Sequence, residues 1–442
     1  MLDTVSTLRR RWLAMLLIAA WPMAASATLP IQSWQTAAGA RVLLIENRDL
    51  PMLDVKLEFP AGSAWENGFP AGTASLTNSL VSAGTAHLNE QQVADRLADT
   101  GAQVSPSVDE DSASFSLRTL SDPRERDAAV ALLAELLSAP AFPDSIVERD
   151  RARTVSALKE AETRPETLAE RAFAQSVFGS HPYARSSSSA SVASITRDHL
   201  LGFYAERYRV AGVVLTIVGD IDRAGAEALA ERLTAGLPQG RPLPDRLPVV
   251  ERAIAGAMQV IDHPATQSHI LVGAPGMKRG DPDYWPLFVG NYILGGGGFA
   301  SRLTDEVRQK RGLAYSVYSY FLPRKEDGPF MIGLQTKREQ TDEALAVVRQ
   351  TLERFVGEGP TEAELAAARS NLVGGFPLRV ENNRKILDYV SMVGFYGLPL
   401  DYIDRFVSNI ESVTVEQIRD AFRRRVQTDR LATVVVGGGN GR

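Results

Sequence analysis

The chain contains no cysteine, which excludes disulfide bonds, thiol catalysis, cysteine-ligated zinc and a lipidated cysteine. Histidine is also scarce, and the five histidines are His87, His181, His199, His263 and His269. No two of them are four residues apart, and none lies in a His-Glu-x-x-His frame, which are the spacings that place two imidazoles on one helical face. The sequence therefore offers no histidine pair for a zinc site. His181 precedes Pro182 in a predicted turn, and we expect it to be a packing residue of a loop.

Outside the N-terminal segment, the sequence also lacks clusters of positive charge and long apolar stretches. The net charge is -5, and beyond the N-terminus no cluster of lysine and arginine marks a nucleic-acid surface, so we expect no nucleic-acid partner. Outside the N-terminal segment no apolar stretch approaches the length that a membrane-spanning helix requires. We therefore expect no stable membrane span once that segment has been removed.

The N-terminal segment has the pattern of a secretory signal peptide. Positive residues at Arg9 to Arg11 precede an apolar run from Trp12 to Trp21, and Ala25-Ser26-Ala27 fits the small-residue cleavage rule. We predict a signal peptide at 1–27, cleavage after Ala27 and a periplasmic or secreted protein. The alternative is an uncleaved anchor.

An internal repeat organises the rest of the chain. Thr196 and Thr414, 218 positions apart, each open a predicted helix as its N-cap. Each helix is followed, at the same offset, by a β-branched strand that ends on glycine, Val213 to Gly219 and Leu431 to Gly437. Such agreement without a gap indicates a duplicated unit.

The repeat predicts two homologous α+β domains, each an antiparallel-rich sheet packed with helices. We place the first domain at 28–235, a proline-rich linker at 236–252 and the second domain at 253–442. Long amphipathic helices are predicted near 125–138, 145–161, 341–357 and 361–373, and a strand is predicted from Leu313 to Phe321.

Several stretches, in this order and spacing, resemble the M16 (pitrilysin/insulinase) peptidase family over nearly the whole predicted mature chain. They are Ala61 to Glu66, Gly84-Thr85, His181-Pro182-Tyr183, Asn291 to Gly296 and, most specifically, Glu306 to Ser316. The resemblance implies half of a clamshell built from duplicated domains.

Active members of that family carry a His-x-x-Glu-His helix shortly before the Gly-Thr pair, with a carboxylate ligand from a later helix. By this resemblance the two histidine positions are Ser75 and Ser79, the glutamate position is Asn78, and the third ligand falls near Ala157. Neutral serine is a poor zinc ligand, an amide is no general base, and alanine has no donor atom. We expect no metal or other cofactor in this chain.

The family also uses an arginine and a tyrosine from the later domain to hold the substrate backbone. The matching residues are Arg308 and Tyr315, which the resemblance implies as catalytic. Arg311 and Tyr318 are weaker candidates, because Arg311 lies outside the matched pair and Tyr318 is predicted to face away from Tyr315. Without the resemblance, we would expect Arg308 to interact with the carbonyls at a helix C-terminus and Tyr315 to pack in a sheet.

Together these features predict the non-zinc-binding subunit of a metallopeptidase for unfolded peptides. Its partner would be a homologous subunit with an intact zinc motif, and the zinc would lie on that partner. Two alternatives stay open. One is a catalytically inactive structural or peptide-binding homologue, and the other is a homodimeric, chaperone-like peptide binder.

Overall fold

The computed structural model describes residues 30–241, 243–244, 246–251, 256 and 258–437. The predicted signal peptide at 1–27 lies outside these residues, as do three positions of the predicted linker, Pro242, Asp245 and Arg252. The described strands are β1 (Gln32–Gln35), β2 (Arg41–Glu46), β3 (Met52–Phe59), β4 (Gln103–Val108), β5 (Ala113–Leu120), β6 (Val214–Gly219), β7 (Met258–Ile261), β8 (Gln267–Met277), β9 (Val317–Phe321), β10 (Gly328–Lys337) and β11 (Ala432–Val436).

The strands form two sheets with the same plan. The first sheet has the order β1-β2-β6-β3-β5-β4, and the second has the order β7-β11-β8-β10-β9. In each sheet one pair is parallel, β2 with β6 and β7 with β11, and the other pairs are antiparallel. The second sheet thus repeats the first without a counterpart of β1. This confirms the predicted α+β fold with an internal duplication, whereas the exact domain boundaries stay a prediction.

Helices cover the sheets. The described α-helices of the first half are Thr73–Leu80, Glu90–Thr100, Pro123–Ser138, Asp144–Ala161, Pro165–Phe178, Ser189–Ala193, Arg197–Arg207 and Arg223–Thr234, and those of the second half are Tyr284–Asn291, Thr341–Glu358, Glu362–Gly374, Asn383–Phe395, Phe406–Ser412 and Val415–Arg425. The four long helices predicted from the sequence lie within two residues of their predicted bounds. Within the described ranges, none of the helices combines the length and the apolar character needed to cross a membrane.

The repeated helix starts have the predicted caps. The Thr196 hydroxyl accepts a hydrogen bond from the backbone N–H of His199, and the Thr414 hydroxyl accepts one from that of Gln417. In both cases the side chain of the third helical residue accepts a hydrogen bond from the cap's own backbone N–H. These reciprocal bonds satisfy two backbone donors that a helix start otherwise leaves free.

The two halves exchange helices. Helix Pro165–Phe178 belongs to the first half but packs on β8 and β11, and helix Asn383–Phe395 belongs to the second half but packs on β2, β3 and β6. Hereafter we call them the exchanged helices. Since a sheet buried on both faces needs a layer on each, the exchange gives each sheet its second layer.

Glycines mark how closely the exchanged helices approach. A Cβ at Gly394 would lie 2.5 Å from Leu43 Cδ1 and 2.7 Å from Val214 Cγ1, and one at Gly273 would lie 2.8 Å from Phe173 Cζ. Residues without a Cβ therefore allow both contacts.

The strand predicted from Leu313 to Phe321 begins later, at Val317. The backbone N–H of Leu313 donates to the carbonyl of Val307, so this residue closes the preceding helical turn instead of pairing with β10. Tyr315 therefore lies in the connection before β9, and strand alternation does not govern its direction.

Replacement of Gly394 by alanine should destabilise the protein. Overpacking of a closed interface typically costs about 1–3 kcal/mol in the free energy of unfolding. Gly374→Ala is the matched control, because nothing lies within 4 Å of its added Cβ and alanine favours helix by up to about 1 kcal/mol. Urea unfolding of both variants measures the difference. Equal stability of Gly394→Ala and the wild type would contradict the close approach.

Candidate functional site

The helix at the predicted zinc position, Thr73–Leu80, is held at its N-terminus by a buried carboxylate. Glu66 Oε1 accepts hydrogen bonds from the backbone N–H groups of Gly72, at 3.0 Å, and of Ala74, at 2.7 Å. Gly72 has φ 102°, a left-handed conformation that favours glycine. Glu66 thus acts as a helix cap from outside the helix.

Ser75 and Ser79 occupy one exposed face of this helix. Their spacing of four residues places them as the two histidines of a zinc helix would be placed. The Ser79 hydroxyl donates to the carbonyl of Leu76 at 3.0 Å, which is a bond within the helix itself. The geometry of the face is retained, but it offers only neutral hydroxyl groups.

Asn78, at the predicted position of the general base, is 1% exposed and part of the packing. Its Nδ2 donates to the carbonyl of Ser107 on β4 at 3.0 Å and approaches that of Ser114 on β5 at 3.4 Å. Its Oδ1 accepts a bond from the hydroxyl of Tyr208 at 3.1 Å. A carboxylate could not make the first two bonds because it has no N–H to donate.

The second half has the same arrangement. Helix Tyr284–Asn291 follows β8 as Thr73–Leu80 follows β3, and Asn291 Nδ2 donates to the carbonyl of Ser319 at 3.0 Å on the edge strand β9. The Ser319 hydroxyl donates back to Asn291 Oδ1 at 2.8 Å. The base position of the first half therefore has the structural role that its counterpart has in the second half.

Ala157 lies on the exposed surface of helix Asp144–Ala161 and contributes only a methyl group. In the part of the chain that the structure describes, no cluster of three or more histidine, cysteine or acidic residues could hold a metal ion. Two hydroxyls, a hydrogen-bonded amide and a methyl group do not fit zinc, which takes nitrogen, thiolate or carboxylate ligands.

Beside the degenerate helix lies a cavity of about 460 Å³ between the two halves. Ser75 and Glu66 line it from the first half, together with the exchanged helix Pro165–Phe178. Tyr320 and Met331 line it from β9 and β10 of the second half. The exposed face of this helix thus opens into a cavity of the size that bound small molecules occupy.

A buried junction fixes the two halves around this cavity. Asp111, which is 1% exposed, accepts hydrogen bonds from the hydroxyls of Tyr183 at 2.5 Å and Tyr396 at 2.8 Å, and from the backbone N–H of Lys325 at 2.7 Å. Its carbonyl accepts a bond from Trp65 Nε1 at 2.7 Å. Tyr396 and Lys325 belong to the second half, so one carboxylate joins both. No sequence motif marks Asp111, since its partners lie far along the chain.

His181 has the packing role expected from the sequence. Its Nδ1 accepts a bond from the backbone N–H of Tyr183 at 3.1 Å, and its Nε2 lies 2.8 Å from the carbonyl of Pro248 in the predicted linker. Burial lowers the pKa of the imidazole, which favours its neutral form.

Arg308 and Tyr315 lie together, away from the cavity lining. The Arg308 guanidinium is 4.7 Å from the ring centre of Tyr315 and 4.8 Å from that of Phe299, so it is stacked between the two rings. Tyr315 is 84% exposed and Phe299 69% exposed. Arg308 is in a π-helical turn, Thr304–Gln309. The structure therefore groups this pair but does not bring it into the cavity with Ser75. No sequence pattern predicted a role for Phe299.

Comparison with known proteins covers most of the chain. A family model described as insulinase (peptidase family M16) matches residues 41–190, and one described as peptidase M16 inactive domain matches residues 194–372. A Pseudomonas fluorescens crystal structure described as a peptidase M16 inactive domain has 36% identity and a TM-score of 0.90, over 94% of this chain and 99% of that chain.

Two curated relatives carry different descriptions. The Helicobacter pylori protein described as non-peptidase homolog YmxG is 27% identical over 401 residues, which cover 89% of this chain and 91% of that protein. A Mycobacterium bovis protein described as an uncharacterised zinc protease is 29% identical over 388 residues, which cover 85% of this chain and 86% of that protein. The chain is thus similar, over nearly its whole length, to proteins described as peptidases and as non-peptidases.

Restoring the zinc motif should cost stability without producing a peptidase. Ser75→His with Ser79→His changes only exposed side chains, and such changes usually alter the free energy of unfolding by less than about 0.5 kcal/mol. Addition of Asn78→Glu leaves the carbonyls of Ser107 and Ser114 without their donor and buries a larger, acidic group, which should cost about 1–3 kcal/mol. Urea unfolding, bound-zinc analysis and a quenched-peptide assay measure the outcome. A stable, active triple variant would contradict the structural role of Asn78.

The carboxyl of Glu66 should make stability depend on pH. Burial, opposed by the two backbone hydrogen bonds, raises its pKa from 4.5 to about 7. Because the folded state holds this proton more tightly than the unfolded state, stability should fall by up to about 3 kcal/mol as the pH rises from about 4.5 to 7. Glu66→Gln keeps the accepting oxygen and should remove this part of the slope, whereas Glu353→Gln on an exposed surface should not. Unfolding measured between pH 4.5 and 8 distinguishes them, and equal slopes in the wild type and Glu66→Gln would be the contrary result.

Proposed function

The chain belongs to the M16 peptidase family as a homologue without the zinc motif, and we propose that it is the non-zinc-binding subunit of a two-chain metallopeptidase. Its partner is a homologous chain with an intact His-x-x-Glu-His helix, which carries the zinc. Unfolded peptides are the substrate, and the assembled pair works in the periplasm or outside the cell after removal of the signal peptide.

One observation carries this proposal: the Arg308–Tyr315 pair is preorganised and uncovered. The guanidinium of Arg308 stacks on the rings of Phe299 and Tyr315, which restricts its motion. Tyr315 nevertheless stays 84% exposed. Exposed aromatic rings beside an arginine are enriched on surfaces that contact another protein. A site that served this chain alone would instead face its own cavity.

The chemistry of the pair fits that role. A tyrosine hydroxyl can donate a hydrogen bond to the oxygen that becomes negative when water attacks a peptide carbonyl. The arginine fork can hold a neighbouring backbone carbonyl or a carboxylate with two N–H groups. These contributions need no metal on this chain, so they can complete an active site whose zinc lies on the partner.

The second candidate is a structural or peptide-binding homologue without a catalytic role. It is favoured by the way Asn78 is built into the packing, and by the cavity of about 460 Å³ that remains beside the former zinc face. A homodimeric, chaperone-like form of this alternative would bind peptides without a zinc-bearing partner.

The test uses the chain reconstituted with a zinc-bearing M16 homologue from the same organism. Tyr315→Phe keeps the ring but removes one donor to the transition state, which typically lowers kcat by about 10²–10³. Arg308→Lys keeps the charge but loses the fork, and should impair turnover as well. Zinc content and heterodimer formation should be unchanged, since the metal lies on the other chain.

Tyr318→Phe and Arg311→Lys are the matched controls and should retain activity. Arg311 is paired with Glu306, and Tyr318 stacks on Tyr320 with ring centres 6.0 Å apart, so both already have structural partners. A Tyr315→Phe heterodimer that assembles and turns over quenched peptide at the wild-type rate would remove the catalytic assignment and favour the structural alternative.

A further inference from the structure

A pocket of about 310 Å³ lies in the second half, with a lining separate from that of the cavity beside Ser75. Its walls come from helix Tyr284–Asn291, the exchanged helix Asn383–Phe395 and the segment that carries Tyr402 and Phe406. A pocket of this size matches the low end of the roughly 300–1,000 Å³ that bound small molecules occupy.

Aromatic rings form the floor and one wall of this pocket. Tyr284 and Phe288 are stacked, with ring centres 5.8 Å apart and planes 6° from parallel. The ring of Tyr402 lies 6.4 Å from that of Tyr284, and the ring of Phe406 lies 6.2 Å from that of Phe288. Such a surface favours an apolar or aromatic side chain.

Two arginines, Arg279 and Arg379, line the same pocket without an ion-pair partner among the described residues. The guanidinium of Arg279 lies 5.4 Å from the ring centre of Tyr396, and its buried Nε finds no hydrogen-bond partner among the described residues. Among the described residues, the side chain of Arg379 donates only to the hydroxyl of Tyr389, at 3.3 Å, and it stacks toward Phe288. Within the described ranges, neither guanidinium has a carboxylate at ion-pair distance. Arg379 is exposed, whereas Arg279 is half-buried, and a half-buried arginine usually needs such a partner.

The acidic residue of the lining does not cancel this charge. Asp388 is 63% exposed, and its Oδ1 lies 3.9 Å from Nζ of Lys56 on β3. With Asp388 facing that lysine, the pocket presents two positive forks above an aromatic floor. A ligand that complements it combines a carboxylate with an apolar side chain on neighbouring atoms.

The pocket continues into a longer cavity. A space of about 590 Å³ shares Arg279, Arg379, Tyr284 and Phe288 with the pocket and extends along residues 316–323, at and beside β9. The two arginines therefore lie at the junction of a short compartment and a long one. This arrangement suits a chain that ends in the pocket and extends away along the strand.

We propose that this pocket binds the carboxyl-terminal residue of an apolar peptide. Arg279 and Arg379 take the terminal carboxylate, the aromatic floor takes the last side chain, and the preceding residues lie in the longer cavity. Terminal carboxylates are a ligand class that proteins recognise through such donors. This inference goes beyond the proposed function and does not depend on it, because it involves neither Arg308 nor Tyr315 and needs no partner chain.

Fluorescence anisotropy on the purified chain tests the ligand side. The probe is the fluorescein-labelled peptide Gly-Ser-Gly-Ala-Leu-Phe with a free carboxyl terminus, and it is compared with the same peptide as the carboxamide. Amidation should weaken binding at least tenfold, and N-acetylphenylalanine should compete at least tenfold less well than the unlabelled peptide. Equal binding of acid and amide would overturn the proposal, as would a lack of binding at millimolar protein. Equal competition by N-acetylphenylalanine would overturn it in favour of a site for small carboxylates.

Variants test the protein side. Arg279→Gln should weaken binding of the free acid about tenfold, leave the amide unchanged and so abolish the preference, and Arg379→Gln should reduce the preference. Arg405→Gln removes one positive charge nearby, but this residue is paired with Asp401 and does not line the pocket, so it should behave as the wild type. If Arg279→Gln fails to fold, Arg379→Gln and the comparison of the free acid with the amide still test whether the pocket binds a terminal carboxylate. Equal effects of Arg279→Gln and Arg405→Gln would refute the assignment.

Discussion

The rest of this structure depends on the exchange of one helix between the two halves. Each sheet has two faces, and the helices of its own half cover only one of them, so helix Pro165–Phe178 covers the second sheet and helix Asn383–Phe395 covers the first. Both contacts are close enough to require glycine, at Gly273 and Gly394. Because each half supplies part of the other's core, the halves cannot separate without exposing both sheets. The cavity between them is therefore a fixed feature of the fold.

The helix at the predicted zinc position, Thr73–Leu80, keeps the exposed face that such a site needs without offering metal ligands. Ser75 and Ser79 keep the exposed face, but Asn78 now joins the helix to β4 and β5 through an amide that a glutamate could not replace. Asn291 makes the matching bonds to β9 in the second half. The residue predicted to lie at the general-base position thus stabilises the packing here. Stability and catalysis make opposite demands on it, since one needs an N–H donor and the other a carboxylate.

Three arginines have no ion-pair partner among the described residues, and we propose that they mark where the molecule meets a ligand or a partner. Arg308 is stacked between two exposed rings, and Arg279 and Arg379 face a pocket without a carboxylate partner. The buried carboxylate of Asp111, by contrast, is fully engaged at the junction of the halves. The contrast separates groups that hold the fold together from groups that stay available to a ligand or a partner.

The sequence by itself determined the duplicated α+β plan, the repeated caps at Thr196 and Thr414 and the lack of a histidine pair with the spacing of a zinc helix, because local periodicity, capping and residue type carry that information. Only the tertiary structure decided which half each helix covers, that Tyr315 precedes β9, and that Asp111 joins residues more than 200 positions apart. Such contacts follow from how distant surfaces fit together, and no local pattern encodes them. The residue types at the candidate site could thus be predicted from the sequence, whereas the contacts around them are decided by the folded chain.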